Sequence, residues 1–242
     1  MQIVGELINA SRKKIRNEIK EKNYDAIVQV AKDQHEHGAD FIDVNAGIFV
    51  GQEEDYVKWL IQTVQENLDA PCCIDTPDPK VIEEAVKVHK GTPMLTSISL
   101  EKDRYENMLP VVKGKDMKVI GLCMGDEGMP YTKDDRLKIA NKLINNLVQN
   151  NVPLENIYVD PLVQPIGSGD NFGKEFIDTI EAIHAEYEGI NTICGLSNIS
   201  YGIPKRKFVN QTFMVMAITK GLNAAIMNPL DKRMMASVIA TE

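Results

Sequence analysis

The sequence predicts an α/β protein, a (β/α)8 TIM barrel, from two observations. Apolar, β-branched runs alternate with amphipathic helical patterns along all 242 residues, and the alternation repeats eight times at about thirty residues a unit. Uninterrupted βα alternation gives a parallel sheet, and eight such units close into a barrel. An open, doubly wound sheet is the alternative, but no glycine-rich fingerprint follows the first strand. Because no linker interrupts the rhythm, we expect residues 1–242 to form a single domain.

The strands are predicted where apolar and β-branched residues run together between polar segments, as in "FIDVN" and "CCID". Short runs of this kind are typical of strands buried on both faces of a parallel sheet. The eight predicted strands cover residues 3–8, 41–46, 72–76, 93–99, 118–124, 157–163, 191–197 and 223–227.

The helices between these strands are predicted from apolar residues spaced three and four apart. Start signals support two of them: Asp78 stands before Pro79, and Thr132 stands before "KDDRLKIANKLI". One apolar stripe consists of Val57, Leu60, Ile61, Val64 and Leu68, and another of Leu137, Ala140, Ile144 and Leu147.

Polar side chains recur where the predicted strands end. In a (β/α)8 barrel these ends and the loops after them meet at one mouth, where active sites lie. Any one of the residues could merely cap the next helix, as Asp and Asn do well, but the whole set indicates a functional site. The set comprises Glu6, Asn9, Asp43, Asn45, Asp75, Thr96, Ser99, Asp160, Ser197 and Asn198.

Composition excludes several classes of protein. With 27 basic and 35 acidic residues the formal net charge is -8, so a surface for nucleic acid, which needs clustered Lys and Arg, is not expected. The first residues lack a signal-peptide pattern and no segment holds 18 uninterrupted apolar residues, so we expect no membrane association. The cysteines lack CxxC spacing and indicate buried, reduced thiols in a cytoplasmic protein; they are Cys72, Cys73, Cys123 and Cys194.

The histidines give no metal or cofactor site. The segment "DQHEHG" fits the D-x-H-x-x-G pattern of proteins that bind cobalamin through histidine, but it ends a predicted helix and no Gly-Gly pair follows. We therefore predict that His35 and His37 are exposed. His89 and His184 also fall in helical stretches, so no cluster of His and Cys is expected at the mouth for zinc.

The predicted mouth carries carboxylates, amides and hydroxyls, with little positive charge. Such a surface suits a neutral heterocycle rich in N–H donors, which a carboxylate can hold through paired hydrogen bonds. Pterin has this pattern, because its exocyclic amino group lies beside a ring N–H. An anionic phosphate substrate would require the opposite polarity.

Motifs along nearly the whole chain resemble the pterin-binding barrel family, which includes dihydropteroate synthase and the methyltetrahydrofolate–corrinoid protein methyltransferases. The motifs are "GELIN", "IDVNAG", "CIDT", "YVDPLV" and "GLSNIS", one each at the first, second, third, sixth and seventh strands. The combination of "DPL" with "GLSN", and the pattern R-x-x-x-N-x-T-F from Arg206, resembles the methyltransferase branch. The implied fold is a TIM barrel of the pterin-binding type.

The resemblance implies roles for residues that match the family motifs. Asp75 and Asp160 would hydrogen-bond the amino and ring N–H groups of the pterin. Gly195 and Ser197 would shape the same wall of the site. Arg206 would order the loop or contact the folate tail.

Two further positions bear on the chemistry that the resemblance implies. Asn198 would lie beside N5, the atom that carries the methyl group, and would be the catalytic residue. Related methyltransferases tend to carry Asn in the fourth strand, where this chain has Thr96, with Ser99 nearby. A shorter hydroxyl cannot make the contacts of an amide, so this side of the pterin site would differ.

The implied activity is transfer of a methyl group between N5 of (methyl)tetrahydrofolate and the cobalt of a corrinoid, a cobalamin-type cofactor, carried by a separate partner protein. A dihydropteroate synthase-like enzyme is one alternative, although it should bind diphosphate through basic residues at the last strand, and "NAAIMNPLD" has none. A non-catalytic folate-binding barrel is another.

The resemblance and the sequence also point to a homodimer. The predicted helix 206–220 carries more apolar surface than one barrel face needs, although these residues could instead only fill the groove between helix and barrel. They are Phe208, Phe213, Met214, Met216 and Ala217.

Overall fold

Eight parallel strands form the centre of the protein, as described for residues 1–242 by a computed structural model. Neighbouring strands are hydrogen-bonded in the order β7-β6-β5-β4-β3-β2-β1-β8. The two ends of this sheet meet where Gly195 pairs with Ile226, so the predicted barrel is confirmed. The strands are β1 (Gln2–Asn9), β2 (Phe41–Asn45), β3 (Cys72–Asp75), β4 (Met94–Leu100), β5 (Lys118–Gly125), β6 (Ile157–Asp160), β7 (Asn191–Thr192) and β8 (Ala224–Met227).

Nine α-helices surround the barrel, one more than the eight predicted. The additional helix arises because Lys22 adopts a left-handed φ of 48° and Asn23 then caps a new helix through the N–H of Ala26. The helices are α1 (Lys13–Lys20), α2 (Tyr24–Glu36), α3 (Glu53–Gln65), α4 (Pro79–Val88), α5 (Lys102–Val112), α6 (Lys133–Gln149), α7 (Phe172–Glu186), α8 (Arg206–Ile218) and α9 (Lys232–Thr241).

Both predicted helix starts are confirmed. The Asp78 side chain accepts a hydrogen bond from the N–H of Lys80, with Pro79 as the first helical residue of α4. Thr132 and Asp135 form a reciprocal capping box at the start of α6. Each such cap stabilises its helix by about 1 kcal/mol.

Two strands end three or more residues earlier than predicted, and both differences lie at the mouth. The sixth strand stops at Asp160, since Pro161 has no N–H to donate and Leu162 takes a left-handed φ of 65°. The seventh stops at Thr192, and the chain then forms the 3₁₀ helix Leu196–Ser200. Because these strands are short, Asp160 and the residues after Gly195 lie at the rim.

The barrel interior is divided into an apolar layer and a polar layer, because side chains alternate along each strand and every second residue points inward. The apolar layer contains Val4, Phe41, Cys73, Met94, Ile120, Tyr158, Ile193 and Ala224. The residues two positions further along are Glu6, Asp43, Asp75, Thr96, Leu122, Asp160, Gly195 and Ile226. The carboxylates of the candidate site therefore stand directly above an apolar plug.

The bottom of the barrel is closed by polar contacts. The Tyr158 hydroxyl donates to Oε1 of Gln2 at 2.6 Å and accepts from Nζ of Lys118 at 2.9 Å. Together with the apolar layer above it, this cluster fills the end of the barrel opposite the mouth.

Predictions for cysteines and histidines are also confirmed. All four cysteines are buried free thiols, and His35 and His37 are exposed where α2 ends. Among the nine helices there is none with the length and apolar character needed to cross a membrane.

Candidate active site

The structure brings the predicted site residues together at the carboxyl end of the barrel. Asp75 ends β3 and is paired in register with Thr96 of β4. Asp160 ends β6, three strands round the barrel from β3. Gly195 precedes the 3₁₀ helix that contains Ser197 and Asn198.

Asp75 is held by an amide from the neighbouring strand. Nδ2 of Asn45 donates to Oδ2 of Asp75 at 2.8 Å, and Oδ1 of Asn45 accepts from the N–H of Gly47 at 3.2 Å. Burial raises the pKa of the Asp75 carboxyl, which the Asn45 hydrogen bond and the positive charge of Arg104 oppose. A carboxylate can accept about four hydrogen bonds, so Asp75 retains acceptor capacity toward a ligand.

Asp160 is the more deeply buried of the two carboxyl groups, with 7% of its surface exposed. Its Oδ1 accepts from the N–H of Leu162 at 2.8 Å, and the backbone N–H of Gly195 also acts to lower the pKa of the carboxyl. Burial nevertheless raises the pKa of Asp160 to about 7. The group is therefore close to its protonation midpoint at neutral pH and would become a strong acceptor when N–H donors bind it.

A third carboxyl group lies within the interior layer. Asp43 is 3% exposed, and its pKa is raised well above the usual range by burial first and then by the negative charges of Asp75 and Glu6. Glu6 in turn forms an ion pair with Arg12, with Nη2 and Oε1 2.7 Å apart. Burial and the two neighbouring negative charges therefore favour the neutral form of Asp43.

The Thr96 side chain points into the barrel, but its hydroxyl contacts a side chain of the neighbouring strand β3. Oγ1 of Thr96 lies 3.1 Å from Sγ of Cys73 on β3. Beyond β4, Arg104 donates from Nε and Nη2 to the carbonyl and hydroxyl oxygens of Ser97, both at 3.1 Å. On β4, which lies between β3 and β5, the side chain that points into the barrel is therefore the short hydroxyl of Thr96. The positive charge of Arg104 lies behind it.

Asn198 presents a free amide at the rim. Its side chain is exposed and makes no hydrogen bond within the protein, so it does not cap the turn in which it lies. A Cβ added to Gly195 would come within 3.2 Å of Nδ2 of Asn198. The lack of a side chain at Gly195 therefore leaves room for the amide over the mouth.

Arg206, the first residue of α8, ties the loop that carries Ser197 and Asn198. Its Nη2 donates to the carbonyl of Ser197 at 2.7 Å and its Nε to Oγ of Ser200 at 3.0 Å. A cavity of about 470 Å³ opens beside this loop, lined by Glu6, Arg12, Ser197, Arg206, Lys207 and Asn228 among others. It adjoins the mouth through Glu6 and Ser197.

Three side chains near the site were not predicted from the sequence, namely Arg104, Arg136 and Gln164. Arg136 lies on the buried face of α6, four residues before Ala140. The sequence feature that could have identified it is a basic residue at a position of the apolar stripe of this helix. Arg104 and Gln164 contact the site through backbone carbonyls and a hydroxyl, and no sequence pattern marks them.

A comparison with known proteins supports the resemblance seen in the motifs. A family profile described as pterin binding enzyme matches residues 5–228. The chain belongs to the pterin-binding enzyme family. Its similarity to that family covers every strand that contributes to the mouth.

Relatives within this pterin-binding family differ in length. The methylcorrinoid:tetrahydrofolate methyltransferase of Eubacterium limosum is 31% identical over 244 aligned residues, which cover 100% of this chain and 90% of that protein. Methionine synthase of Mycobacterium tuberculosis is 27% identical over 93% of this chain, which spans only 20% of that enzyme's length. The 7,8-dihydropteroate synthase of Vibrio fischeri superposes with a TM-score of 0.73 at 16% identity, covering 99% of this chain and 91% of that one; this likeness shows the shared fold.

Proposed function

We propose that this protein is a methyltransferase that moves a methyl group between N5 of (methyl)tetrahydrofolate and the cobalt of a corrinoid carried by a separate protein. The observation that carries the proposal is the set of hydrogen-bonding groups at the mouth. Asp75 is a half-buried acceptor and Asp160 a buried one, each with unused acceptor capacity, and Asn198 is an exposed amide at the same end of the barrel. The similarity to the Eubacterium limosum methyltransferase supports the same activity.

Pterin recognition is assigned to the two aspartates. Their carboxylates accept the exocyclic amino and ring N–H hydrogens in paired, charge-assisted bonds. Gly195 and Ser197 form the wall against which the ring lies. Thr96 contributes a hydroxyl that is shared with Cys73, and so gives a weaker contact than an amide would.

Catalysis is assigned to Asn198. Transfer of the methyl group to cobalt leaves the electron pair of the broken C–N bond on N5, which then takes up a proton, and a tertiary amine is a poor leaving group unless that developing charge is stabilised. An amide N–H directed at N5 stabilises the transition state as charge changes on the nitrogen. In the reverse direction the same amide stabilises N5 as it accepts the methyl group.

The corrinoid supplies the cobalt atom that exchanges the methyl group, and we assign it to a partner protein that docks over the mouth. The D-x-H-x-x-G segment of this chain ends α2 just before β2. It therefore lies at the end of the barrel opposite Asp75 and Asp160, where its histidines cannot reach N5. We further propose that residues 1–242 act as a single barrel domain in the cytoplasm.

Homodimer formation is proposed through the outer face of α8. Phe213, Met214 and Ala217 fill the groove against the barrel, whereas Phe208 and Met216 remain 60% and 50% exposed. They border an apolar groove of about 640 Å³ between α7 and α8. Large exposed apolar side chains beside a groove are typical of a surface that is covered in the assembled protein.

The dihydropteroate synthase alternative has less support. Neither β8 nor the loop from Asn228 to Leu230 contains a basic residue. The cations of the adjoining cavity are already engaged: Arg12 pairs with Glu6 at 2.7 Å, Lys207 pairs with Asp231 at 3.6 Å, and Arg206 bonds the 197–200 loop. No free basic set remains to hold a diphosphate.

A single-turnover experiment tests the proposed activity. Methyltetrahydrofolate and cob(I)alamin are mixed anaerobically with the protein, and formation of methylcobalamin is followed by absorbance. We expect transfer with the wild type and with Asp69→Asn, an exposed control at the opposite end of the barrel, and strongly reduced transfer with Asp160→Asn. Folate binding without transfer, also when a corrinoid protein is supplied, would instead favour the non-catalytic barrel.

A further inference from the structure

Arg136 is the one cationic side chain of this protein that is fully buried, with 0% of its surface exposed. It begins the buried face of α6. Its Nε donates to the carbonyl of Pro161 at 2.8 Å, and its Nη1 donates to the carbonyl of Tyr131 at 2.8 Å. The third nitrogen, Nη2, is buried without a hydrogen-bond partner. A buried charge is costly, so its retention suggests a use.

The contacts of Arg136 join two loops of the mouth. Tyr131 belongs to the loop between β5 and α6, and Pro161 follows Asp160 at the end of β6. Gln164, also buried, makes a parallel connection, since its Nε2 donates to the carbonyl of Pro130 at 2.8 Å. Two buried side chains thus bind the 130–131 segment to the 161–164 segment.

The segment held in this way is the turn that orients the Asp160 carboxyl. Leu162 has a φ of 65°, which is uncommon for a residue with a branched side chain. This conformation directs the Leu162 N–H to Oδ1 of Asp160 at 2.8 Å. Because Pro161 lies between the two residues, the Arg136 bond to its carbonyl fixes both ends of the turn.

Arg136 is also the only positively charged side chain that affects the pKa of Asp160. The thiols of Cys123 and Cys194 lie within electrostatic range of Asp160, and burial raises the pKa of both so that they stay neutral. The negative charges of Asp135 and Glu175 act to raise the pKa of Arg136, although neither residue forms an ion pair with it. The guanidinium charge lowers the pKa of Asp160 against the larger effect of burial.

We propose that Arg136 is a positioning residue for pterin recognition, which orients the Asp160 carboxyl through the Pro161–Leu162 turn and contributes a positive charge that favours its carboxylate form against the pterin N–H groups. This inference rests on the proposed function, because it takes Asp160 to be the group that binds the pterin. It assigns Arg136 two separable contributions, one geometric and one electrostatic.

Two substitutions separate these contributions. Arg136→Gln removes the charge together with the guanidinium bridge, whereas Arg136→Lys retains the charge but cannot bridge the Tyr131 and Pro161 carbonyls in the same geometry, so the difference between the two variants reports the charge. Lys138→Gln removes an exposed cation from the same helix and is the matched control. Affinity for methyltetrahydrofolate is measured by calorimetry from about pH 6 to about pH 9, and the Asp160 carboxyl is titrated by ¹³C NMR in the ligand-free proteins.

We expect the wild type and Lys138→Gln to lose affinity as the pH falls through about 7. In Arg136→Gln the loss should begin at higher pH, leaving binding roughly fivefold or more weaker than in Arg136→Lys at neutral pH and similar to that variant in alkali. Arg136→Lys should keep the wild-type pH profile but bind more weakly at every pH. In the NMR titration only Arg136→Gln should raise the pKa of Asp160.

Unchanged Asp160 titration in Arg136→Gln would overturn the inference, and this measurement does not depend on folate binding. Should Arg136→Gln not fold, an Arg136→Lys variant with wild-type affinity at all pH values would also overturn it. If the wild type itself fails to bind methyltetrahydrofolate, the proposed function is wrong and this inference is lost with it. If the wild type binds methyltetrahydrofolate but the pH profile of Arg136→Gln is not shifted, the inference is wrong and the proposed function still stands.

Discussion

At the scale of single residues, the site depends on one half-buried and one buried carboxyl group, which have few partners inside the protein. Asp75 and Asp160 each keep acceptor capacity that no protein donor uses. We expect Asp75→Ala and Asp160→Ala each to weaken methyltetrahydrofolate binding by tenfold or more, since a hydrogen bond to a charged group is worth roughly 1.5–3 kcal/mol. Calorimetry on folded variants measures this, with Asp69→Ala as control. Unchanged affinity in both variants would show that pterin does not bind at this site.

Asn198 gives a prediction that separates rate from binding. Since its side chain makes no hydrogen bond within the protein, Asn198→Ala should leave the melting temperature unchanged. If the amide acts mainly in the transition state, the single-turnover rate at saturating folate should fall on the order of 10²–10³, with a smaller loss of affinity. Asn145→Ala, which removes an exposed amide on α6, is the control. A rate within about threefold of the wild type would contradict a catalytic role.

The raised pKa of Asp160 has a consequence for stability. A carboxyl whose folded-state pKa is about 7, against an ordinary value of about 3.9, destabilises the fold progressively as pH rises through that interval. Asp160→Asn lacks this titration. The free energy of unfolding of Asp160→Asn, minus that of the wild type, should therefore increase by at most about 4 kcal/mol between about pH 4 and about pH 8. Chemical denaturation at the two pH values measures it, and an equal difference at both would show that folding does not raise the pKa of Asp160.

At the scale of elements, the alternation of strands and helices could be predicted because hydrophobic period and helix caps are local properties. The starts at Asp78 and Thr132 are found as expected. The early ends of β6 and β7 could not be predicted, because they follow from the left-handed turn at Leu162 and from the 3₁₀ helix Leu196–Ser200. Both are stabilised by distant side chains, including Arg136 and Arg206.

The same distinction applies to the site. The strand-end aspartates were visible because each follows an apolar run. The contacts of Asn45 with Asp75, and of Thr96 with Cys73, depend on the register between strands. Register is fixed by the closed barrel and by no single segment, so the sequence gives no direct indication of which polar groups meet.

At the scale of the whole molecule, the groove between α7 and α8 predicts the oligomeric state. Its floor includes Ile166 and Ile199, which lie beside the loops that carry Asp160 and Asn198. We expect the wild type to sediment as a dimer at micromolar concentration. Phe208→Glu places a charge at the centre of the groove and should give a monomer, whereas Ile239→Glu, at an exposed apolar position on α9, should remain a dimer. A wild-type mass of one chain across this range would exclude the dimer.

The sealed floor of the barrel determines the order of events at the mouth. The apolar layer and the Tyr158, Lys118 and Gln2 cluster leave no second passage, so folate and corrinoid protein must use one common entrance. A docked corrinoid protein would then obstruct the exit of folate, and the two should form a ternary complex in which folate enters first. Pulse-chase measurements should show bound folate leaving more slowly as the corrinoid protein approaches saturation.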